Sequence, residues 1–312
     1  MQRLNVLQVG ALTERFNQRL ADEYNVTALW QQTDPQAFLA QHGGEFEVVA
    51  TSARFGCSAE LLAQLPNVKA ICSFGVGTDA LAVDVARDRG IAVSNTPDVL
   101  NDCVADLAMG LIIDTARGMS AADRFVRDGG WLMGNFPLAR SVTGKRLGIV
   151  GLGRIGQAVV KRASGFDMQV RYHNRRQVAG SPLTYEADLL ALAEWADFLV
   201  LTCPGGAATH HLISAAELAA LGRNGILINV ARGSVVDQQA LVSALSNGTL
   251  GGAGLDVFAE EPLVPSELLA LDNVVLLPHV GSGTAETRLR MEELVLANML
   301  EYARHGRLVT PL

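Results

Sequence analysis

The chain has few of the features that mark secreted, membrane or metal-binding proteins. Its 312 residues include only four cysteines, Cys57, Cys72, Cys103 and Cys203, and no two of them form a Cys-x-x-Cys pair. We therefore expect free thiols in a cytoplasmic protein, and neither disulfides nor a metal site. No uninterrupted apolar run approaches the length needed to cross a bilayer, and the first residues read as a strand rather than as a signal peptide.

Basic residues are also scarce relative to acidic ones. Lys and Arg together number 25 against 32 for Asp and Glu, which gives a formal net charge of −7. Because no basic stripe offsets phosphate charge, the sequence argues against nucleic acid as the main partner. Hydrophobic residues make up 49% of the chain and charged residues 18%, which suits a globular protein with a substantial core. At this length, two domains are favoured over one.

Short apolar runs alternate with helical patterns along the whole chain. The runs are apolar on both faces, which is typical of parallel strands covered by helices, so the sequence predicts an α/β fold of doubly wound parallel sheets. The strands predicted in the first half are residues 4–9, 26–29, 48–51, 70–74 and 92–94. Those predicted in the second half are 147–150, 170–173, 198–202, 225–230, 254–257 and 274–277. Between the two sets, a helix is predicted at 99–118, and its apolar residues cover more than one stripe, which indicates burial between domains or subunits.

The most informative motif is the glycine-rich loop within residues 146–156. An apolar run enters a turn with Gly151, Gly153 and Gly156, and a helical pattern follows. Gly151 allows the tight turn, Gly153 lets the backbone approach a pyrophosphate, and Gly156 lets the helix pack closely on the strand. The motif between a strand and a helix predicts a dinucleotide site. Because nearly half the chain precedes it, residues 1 to about 100 should form a second unit of domain size.

The end of the next strand indicates which dinucleotide binds. An NAD site usually has an acidic residue about 20 positions after the glycine loop, where it bonds the ribose 2′-hydroxyl. Here the sequence has Asn174, followed by Arg175 and Arg176. Guanidinium groups would bind a 2′-phosphate, so NADPH fits this loop better than NADH. The alternative is that the two arginines are solvated loop charges.

Charged side chains follow three later strands of the same predicted sheet. Arg232, Asp256 and His279 each come at a strand end, and Glu260 and Glu261 come shortly after Asp256. Doubly wound sheets bind ligands at the carboxyl ends of their strands, so this set predicts an acid–base site with an anion clamp. Each residue also has an ordinary structural alternative: a hydrogen-bonded core histidine, a surface ion pair or a charge at a helix N-terminus.

Taken together, these motifs resemble the D-isomer-specific 2-hydroxyacid dehydrogenase family nearly from end to end. The matching segments are residues 73–79, 95–97, the glycine loop, 230–233, 255–258 with Glu261-Pro262, and 278–281. Residues 74–79 and the Asn-Arg-Arg loop are most similar to NADPH-dependent glyoxylate/hydroxypyruvate reductases and hydroxyphenylpyruvate reductases. The resemblance implies a flavodoxin-like substrate domain of residues 1–98 and 285–312, with a C-terminal helix from about 285 to 312. An NADP-binding Rossmann domain of residues 99–284 would be inserted into it, with the active site in the cleft between them.

The resemblance also implies catalytic roles. His279 would be the general acid that protonates the keto oxygen, and Glu261 would hold its imidazole charged near neutral pH. Sequence alone leaves open whether Glu260 contributes beside Glu261. Arg232 would bind the substrate carboxylate and polarise the carbonyl.

The implied binding residues surround this set. The backbone of Val76 and Gly77 would hold the substrate carboxylate from the other domain, and Ser282 is also assigned to the substrate. One clamp of this kind favours monocarboxylates, unless Arg54 reaches the substrate. The implied cofactor contacts are Leu152, Gly153, Arg154, Ile155, Asn174, Arg175, Arg176, Cys203, Pro204, Val230, Arg232, Asp256, His279 and Gly281.

From these residues and the resemblance we predict a cytoplasmic oxidoreductase that reduces small 2-keto acids with NADPH. The expected substrates are glyoxylate and hydroxypyruvate, and the products are D-2-hydroxy acids. The alternatives are a reductase of arylpyruvates or 2-keto-D-gluconate on the same scaffold, and a nucleotide-sensing binding protein without catalysis. The resemblance implies a two-fold interface formed by residues 99–118 and 125–136, so we expect a homodimer, with no nucleic acid or membrane partner.

Overall fold

In the computed structural model, residues 3–312 are described, and the chain divides into two compact units. One unit takes the residues up to Leu100 together with Thr284–Leu312, and the other takes Asn101–Gly283. The second unit is therefore an insertion in the sequence of the first.

Strands run through both units, and every strand pairing is parallel. The first unit contains β1 (Asn5–Gln8), β2 (Asn25–Ala28), β3 (Val48–Ser52), β4 (Ala70–Phe74) and β5 (Ala92–Ser94). The second contains β6 (Arg146–Val150), β7 (Gln169–His173), β8 (Thr184–Tyr185), β9 (Phe198–Leu201), β10 (Ile226–Asn229), β11 (Gly252–Leu255) and β12 (Val274–Leu276). The sheet orders are β2-β1-β3-β4-β5 and β12-β11-β10-β9-β6-β7-β8. The predicted class of doubly wound parallel sheets is confirmed.

Helices connect these strands. In chain order they are α1 (Glu14–Glu23), α2 (Pro35–His42), α3 (Ala59–Ala63), α4 (Val83–Asp88), α5 (Asn101–Arg117), α6 (Met119–Arg127), α7 (Arg154–Ala163), α8 (Leu189–Trp195), α9 (Ala215–Leu221), α10 (Gln238–Ser246), α11 (Ser266–Leu269) and α12 (Ala285–His305). Many begin at a side chain that accepts a hydrogen bond from their first turn. For α9, Ser214 and Glu217 form a reciprocal capping box. None of the helices in residues 3–312 is both long and apolar enough to cross a membrane.

Each sheet has its own apolar core. In the first unit β3 and β4 are buried along their whole length, as are β9, β10 and β11 in the second. The long helix predicted at 99–118 is α5, and its apolar face is buried against α7, β10 and β11 of its own unit. Arg162 of α7 reinforces that packing by pairing with Asp102 and Asp106 of α5.

One strand was missed, and one helix was predicted too long. The two-residue strand β8 was not predicted, because it has no apolar run and pairs only with β7 at the sheet edge. The C-terminal helix was expected to continue to residue 312, but α12 ends at His305. Gly306 follows in the left-handed conformation that terminates many helices, with φ of 67°. The remaining residues turn back to the first sheet, where the amide of Leu312 donates to the carbonyl of Val93 at 2.9 Å.

Candidate active site

The glycine-rich loop joins β6 to α7 at the carboxyl edge of the second sheet. Gly151 has φ of +102°, and a Cβ there would lie 2.5 Å from the backbone nitrogen of Cys203. A Cβ on Gly156 would meet the carbonyl oxygen of Gly151. Gly153, the residue before α7, has open space around it. Only glycine fits at positions 151 and 156, and the open space at Gly153 leaves the start of α7 accessible to a pyrophosphate.

Asn174 lies directly after β7 and contacts this loop. Its Oδ1 accepts a hydrogen bond from the amide of Leu152 at 2.7 Å, and its carbonyl accepts one from the hydroxyl of Tyr185 at 3.0 Å. Asn174 therefore holds the glycine loop in place, a role that the sequence did not indicate. Arg175 and Arg176 follow it, and both are exposed.

The residues after β9 also contact the glycine loop. The hydroxyl of Thr202 donates to the carbonyl of Gly151 at 2.7 Å, which fixes the distance between the two loops. Burial raises the pKa of the next residue, Cys203, to about 11, although a backbone hydrogen bond acts against that shift. The thiol is therefore neutral and offers an apolar surface, and Pro204 beyond it is exposed.

His279 and Glu261 are in direct contact at the ligand edge of the second unit. Nδ1 of His279 lies 2.6 Å from Oε2 of Glu261. The other carboxylate oxygen, Oε1, accepts from the amide of Phe258 at 3.1 Å, while Glu260 is exposed. Burial would raise the pKa of Glu261, but the hydrogen bond and charge of His279, the Phe258 amide and the charge of Arg232 together lower it. Glu261 is therefore the ionised partner of the histidine.

Asp256 supports the turn that carries the histidine. It is buried after β11, and its Oδ1 and Oδ2 accept from the amides of Val280 and Gly281, each at 2.7 Å. Burial raises the pKa of Asp256, against the effect of these two amides. Gly281 is buried and Ser282 half-buried, so the segment after His279 is held by its backbone.

Arg232 follows β10, the neighbour of β11. Its guanidinium donates to the carbonyl of Ala231 at 2.7 Å, and it is half-buried. Asn229, at the end of β10, accepts from the amide of Ala231 at 3.0 Å and donates to the carbonyl of Arg232 at 2.9 Å. Val230 lies buried between them. The predicted residues Arg232, Asp256 and His279 thus follow three adjacent strands, β10, β11 and β12.

The first unit carries its own candidate site after β4. Val76 and Gly77 lie half-buried in the loop that begins at Gly75. Within residues 3–312, no hydrogen-bond acceptor meets the amide of Val76 or of Gly77. Two successive amides without an acceptor are groups that can bind an anion.

A protein-family model matches most of the second unit. The D-isomer specific 2-hydroxyacid dehydrogenase, NAD binding domain, matches residues 109–281, which lie inside the second unit. Glyoxylate/hydroxypyruvate reductase A of Arabidopsis thaliana is 41% identical over 312 residues, the full length of both chains. The chain belongs to the D-isomer-specific 2-hydroxyacid dehydrogenase family. It is therefore an oxidoreductase with a nicotinamide dinucleotide-binding domain.

Further relatives in this family differ in their substrates. Hydroxyphenylpyruvate reductase of Plectranthus scutellarioides is 43% identical over the full length of both chains. The 2-ketogluconate reductase of Gluconobacter oxydans is 44% identical over 264 residues, which is 85% of each chain. Among solved structures, the NADPH-dependent glyoxylate/hydroxypyruvate reductase of Sinorhizobium meliloti, in complex with NADP and malonate, has a TM-score of 0.92 and 39% identity. That alignment covers 100% of this chain and 97% of that one.

Two cations of this family member lie near the carboxyl edge of the first sheet. Arg54 is exposed, and its guanidinium carbon lies 5.8 Å from the ring centroid of Phe55. Arg288 of α12, which the sequence analysis did not assign, lies 5.5 Å from the ring centroid of Phe74. A cation–π contact therefore holds Arg54 in the loop after β3 and Arg288 beside the end of β4. No group of three or more histidine, cysteine, aspartate or glutamate side chains that could hold a metal occurs in the described part of the chain.

The sequence did not indicate which residues hold the loops of the candidate site in place. Asn174 and Asp256 accept hydrogen bonds from backbone amides of another loop or turn, and Asn229 bonds the backbone of the turn that follows it. A partial signal existed, since Asn229 is a polar residue at the end of an otherwise apolar strand and is fully buried. A buried amide of that kind must find hydrogen-bond partners, and here they are the backbone around Arg232.

Proposed function

We propose that the protein is an NADPH-dependent reductase of small 2-keto acids that converts glyoxylate and hydroxypyruvate to D-2-hydroxy acids. The observation that carries this proposal is the 2.6 Å contact between His279 and ionised Glu261. Arg232 lies after an adjacent strand of the same sheet, so an acid and a cation share one ligand edge. The names of the relatives, which include glyoxylate/hydroxypyruvate reductases, support the same substrate class.

In this proposal His279 is the general acid. An ionised carboxylate only accepts hydrogen bonds, so Nδ1 of His279 carries the proton toward Glu261. The other ring nitrogen, Nε2, is then the atom that gives its proton to the keto oxygen. Glu261 stabilises the charged imidazole before transfer, and Asp256 holds the turn on which the ring is mounted.

The substrate carboxylate is assigned to Arg232 and to the amides of Val76 and Gly77. A guanidinium binds a carboxylate with charge-assisted hydrogen bonds, and its charge also stabilises the negative charge that develops on the carbonyl oxygen. Ser282, half-buried in the turn after His279, is also assigned to the substrate. These groups supply one carboxylate clamp, which favours monocarboxylic 2-keto acids.

The glycine loop fits a dinucleotide, since Gly153 leaves the start of α7 open and Gly151 and Gly156 admit no side chain. When bound, NADPH supplies the hydride that reduces the keto carbon. Leu152, Arg154 and Ile155 are assigned to the pyrophosphate, Arg175 and Arg176 to the 2′-phosphate, and Cys203 and Pro204 to the adenosine half. Val230, Asp256 and Gly281 are assigned to the nicotinamide side.

We also propose that the enzyme is a cytoplasmic homodimer whose substrate domain is the first unit and whose cofactor domain is the second. Its four cysteines are free thiols, which fits a reducing compartment. The segment after α6 exposes several large apolar side chains, which favours a protein partner on that surface.

Steady-state rates of NADPH oxidation across a panel of 2-keto acids test the proposal. The panel contains glyoxylate, hydroxypyruvate, hydroxyphenylpyruvate, 2-keto-D-gluconate, oxaloacetate and 2-oxoglutarate, each with NADPH and with NADH. We expect the highest kcat/KM for glyoxylate or hydroxypyruvate with NADPH, and D-glycerate as the product from hydroxypyruvate.

Each other outcome contradicts a named part of the proposal. A higher kcat/KM for oxaloacetate or 2-oxoglutarate would mean that a second cation, such as Arg54 or Arg288, binds a second carboxylate. A higher kcat/KM for hydroxyphenylpyruvate would make the protein an arylpyruvate reductase. Binding of NADPH without oxidation by any acid in the panel would indicate a nucleotide-sensing protein.

A further inference from the structure

The loop of Val76 and Gly77, to which the proposed function assigns the substrate carboxylate, is held from one side by two residues. The amide of Gly75 donates to Oγ1 of Thr96 at 3.0 Å, and the amide of Thr96 donates back to the carbonyl of Gly75 at 3.0 Å. Nδ2 of Asn95 donates to the carbonyl of Val76 at 2.9 Å. With both carbonyls engaged in this way, the peptide planes that carry the amides of Val76 and Gly77 have a fixed direction.

Asn95 is in turn held by residues more than 200 positions away in the sequence. Oγ1 of Thr310 donates to the carbonyl of Asn95 at 2.8 Å. Thr310 is itself fixed by Asn298 of α12, whose Nδ2 donates to Oγ1 of Thr310 at 2.9 Å and whose Oδ1 accepts from its amide at 2.9 Å. Nδ2 of Asn298 also donates to the carbonyl of Leu294 at 2.8 Å.

The segment around Thr310 is anchored to the edge of the first sheet. Ser94 of β5 and Pro311 form an antiparallel bridge, and the amide of Leu312 donates to the carbonyl of Val93. These contacts place Thr310 beside Asn95, the residue that follows β5. The position of the Thr310 hydroxyl is therefore set by the backbone pairing of Pro311 and Leu312 with β5.

Burial makes this chain of hydrogen bonds stiff. Asn298 is 0% exposed, Thr96 is 0% exposed and Asn95 is 7% exposed. A buried amide or hydroxyl that loses its hydrogen-bond partner is destabilising, so each link resists rearrangement. A buried asparagine in α12 adds nothing to an apolar core, but it does fix Thr310 at both its hydroxyl and its amide.

We propose that Thr310 and Asn298 are positioning residues for substrate binding, acting through Asn95 on the amides of Val76 and Gly77. The proposal rests on the proposed function, because it assumes that these amides bind the carboxylate. Hydrogen bonds to an anion weaken steeply when donors shift or tilt, so the loss of one link loosens the clamp without touching the reacting atoms.

The variant Thr310→Val removes the hydroxyl while keeping the branched shape. We expect the KM for the preferred 2-keto acid to rise about five- to tenfold, because one or two charge-assisted hydrogen bonds lose their geometry. The kcat should stay within about twofold, since general acid catalysis by His279 is untouched. The KM for NADPH should not change. Thr310→Ser, which restores the hydroxyl, should return the KM for the acid close to that of the wild type.

A matched control is Thr27→Val in β2, the opposite edge of the same sheet. It makes the same chemical change without a link to Asn95, so its KM should equal that of the wild type. A direct readout is the Kd for oxalate in the presence of NADPH, which measures carboxylate binding without turnover. It should weaken in Thr310→Val by the same factor as KM. If that variant does not fold, Thr310→Ala removes the same hydroxyl and carries the same expectation.

Unchanged KM and oxalate Kd in a folded Thr310→Val or Thr310→Ala variant would overturn the proposal, whatever the change in Tm. Failure of Thr310→Ser to restore KM would also contradict it, since the serine keeps the hydroxyl. These outcomes are distinct from failure of the proposed function, which would appear as a wild-type protein with no NADPH-dependent activity on any 2-keto acid.

Discussion

His279 has a backbone conformation that few histidines adopt. Its φ of 54° lies in the left-handed region, which is uncommon for a residue with a side chain and costs free energy. The turn persists because both oxygens of Asp256 accept backbone amides immediately after it, those of Val280 and Gly281. Asp256, at the end of the neighbouring strand β11, therefore fixes the backbone conformation of the proposed acid. That conformation places the imidazole next to Glu261.

The two exposed arginines after Asn174 determine cofactor preference in our proposal. Changing Arg175 and Arg176 together to alanine should raise the KM for NADPH at least about tenfold, because each charge-assisted contact contributes roughly 1.5–3 kcal/mol. The KM for NADH should barely change, since it has no 2′-phosphate. Arg87→Ala, at a surface ion pair of the first unit, is the control. Equal losses with both cofactors would show that the arginines do not bind the 2′-phosphate.

At the scale of the elements, the pattern of apolar residues predicted the strands and the long helix α5. Eleven of the twelve strands in the described residues were expected within a few residues of their bounds, because continuous apolar runs mark strands buried on both faces. The helix predicted at 99–118 is α5, Asn101–Arg117. Features without an apolar pattern were missed. These are the short edge strand β8 and the return of the residues after Gly306 to β5.

The candidate site also has residues that the sequence predicted and contacts that it did not. Arg232, Asp256 and His279 were placed together because parallel strands end at one edge of a sheet, which needs only the strand assignment. The family resemblance assigned Glu261 to His279, but sequence could not settle whether Glu260 also contributes. That depends on the loop in which Glu261 also accepts from the amide of Phe258. The links from Asn298 through Thr310 to Asn95 join segments far apart in sequence. Such pairs follow from tertiary packing and leave no local pattern.

At the scale of the whole molecule, exposed apolar surface predicts association. Trp131, Leu132 and Met133 are 67%, 90% and 89% exposed in the segment after α6. Contiguous apolar side chains at such exposure are typical of a protein interface. Light scattering at micromolar concentration should therefore give twice the chain mass of 33.1 kDa.

A pair of variants localises that interface. Leu132→Glu with Met133→Glu should shift the mass toward the monomer, because burying two carboxylates in an apolar interface is unfavourable. Leu190→Glu, at a partly exposed leucine on α8, should leave the dimer intact. A monomeric mass for the wild-type protein would contradict the assignment of this surface.

The most direct test of the proposed chemistry is the pH dependence of kcat for 2-keto acid reduction in the wild type and in Glu261→Gln. Reduction needs a protonated imidazole, so activity falls as pH rises and the proton is lost. The pKa of Glu261 lies below its ordinary 4.5, since the hydrogen bond and charge of His279 outweigh burial. The carboxylate is therefore negative across the working range and stabilises the charged ring. In Glu261→Gln we expect the alkaline limb to move to lower pH, whereas Glu260→Gln should leave it in place. An unshifted limb in Glu261→Gln, or the same shift in Glu260→Gln, would contradict the His279–Glu261 assignment.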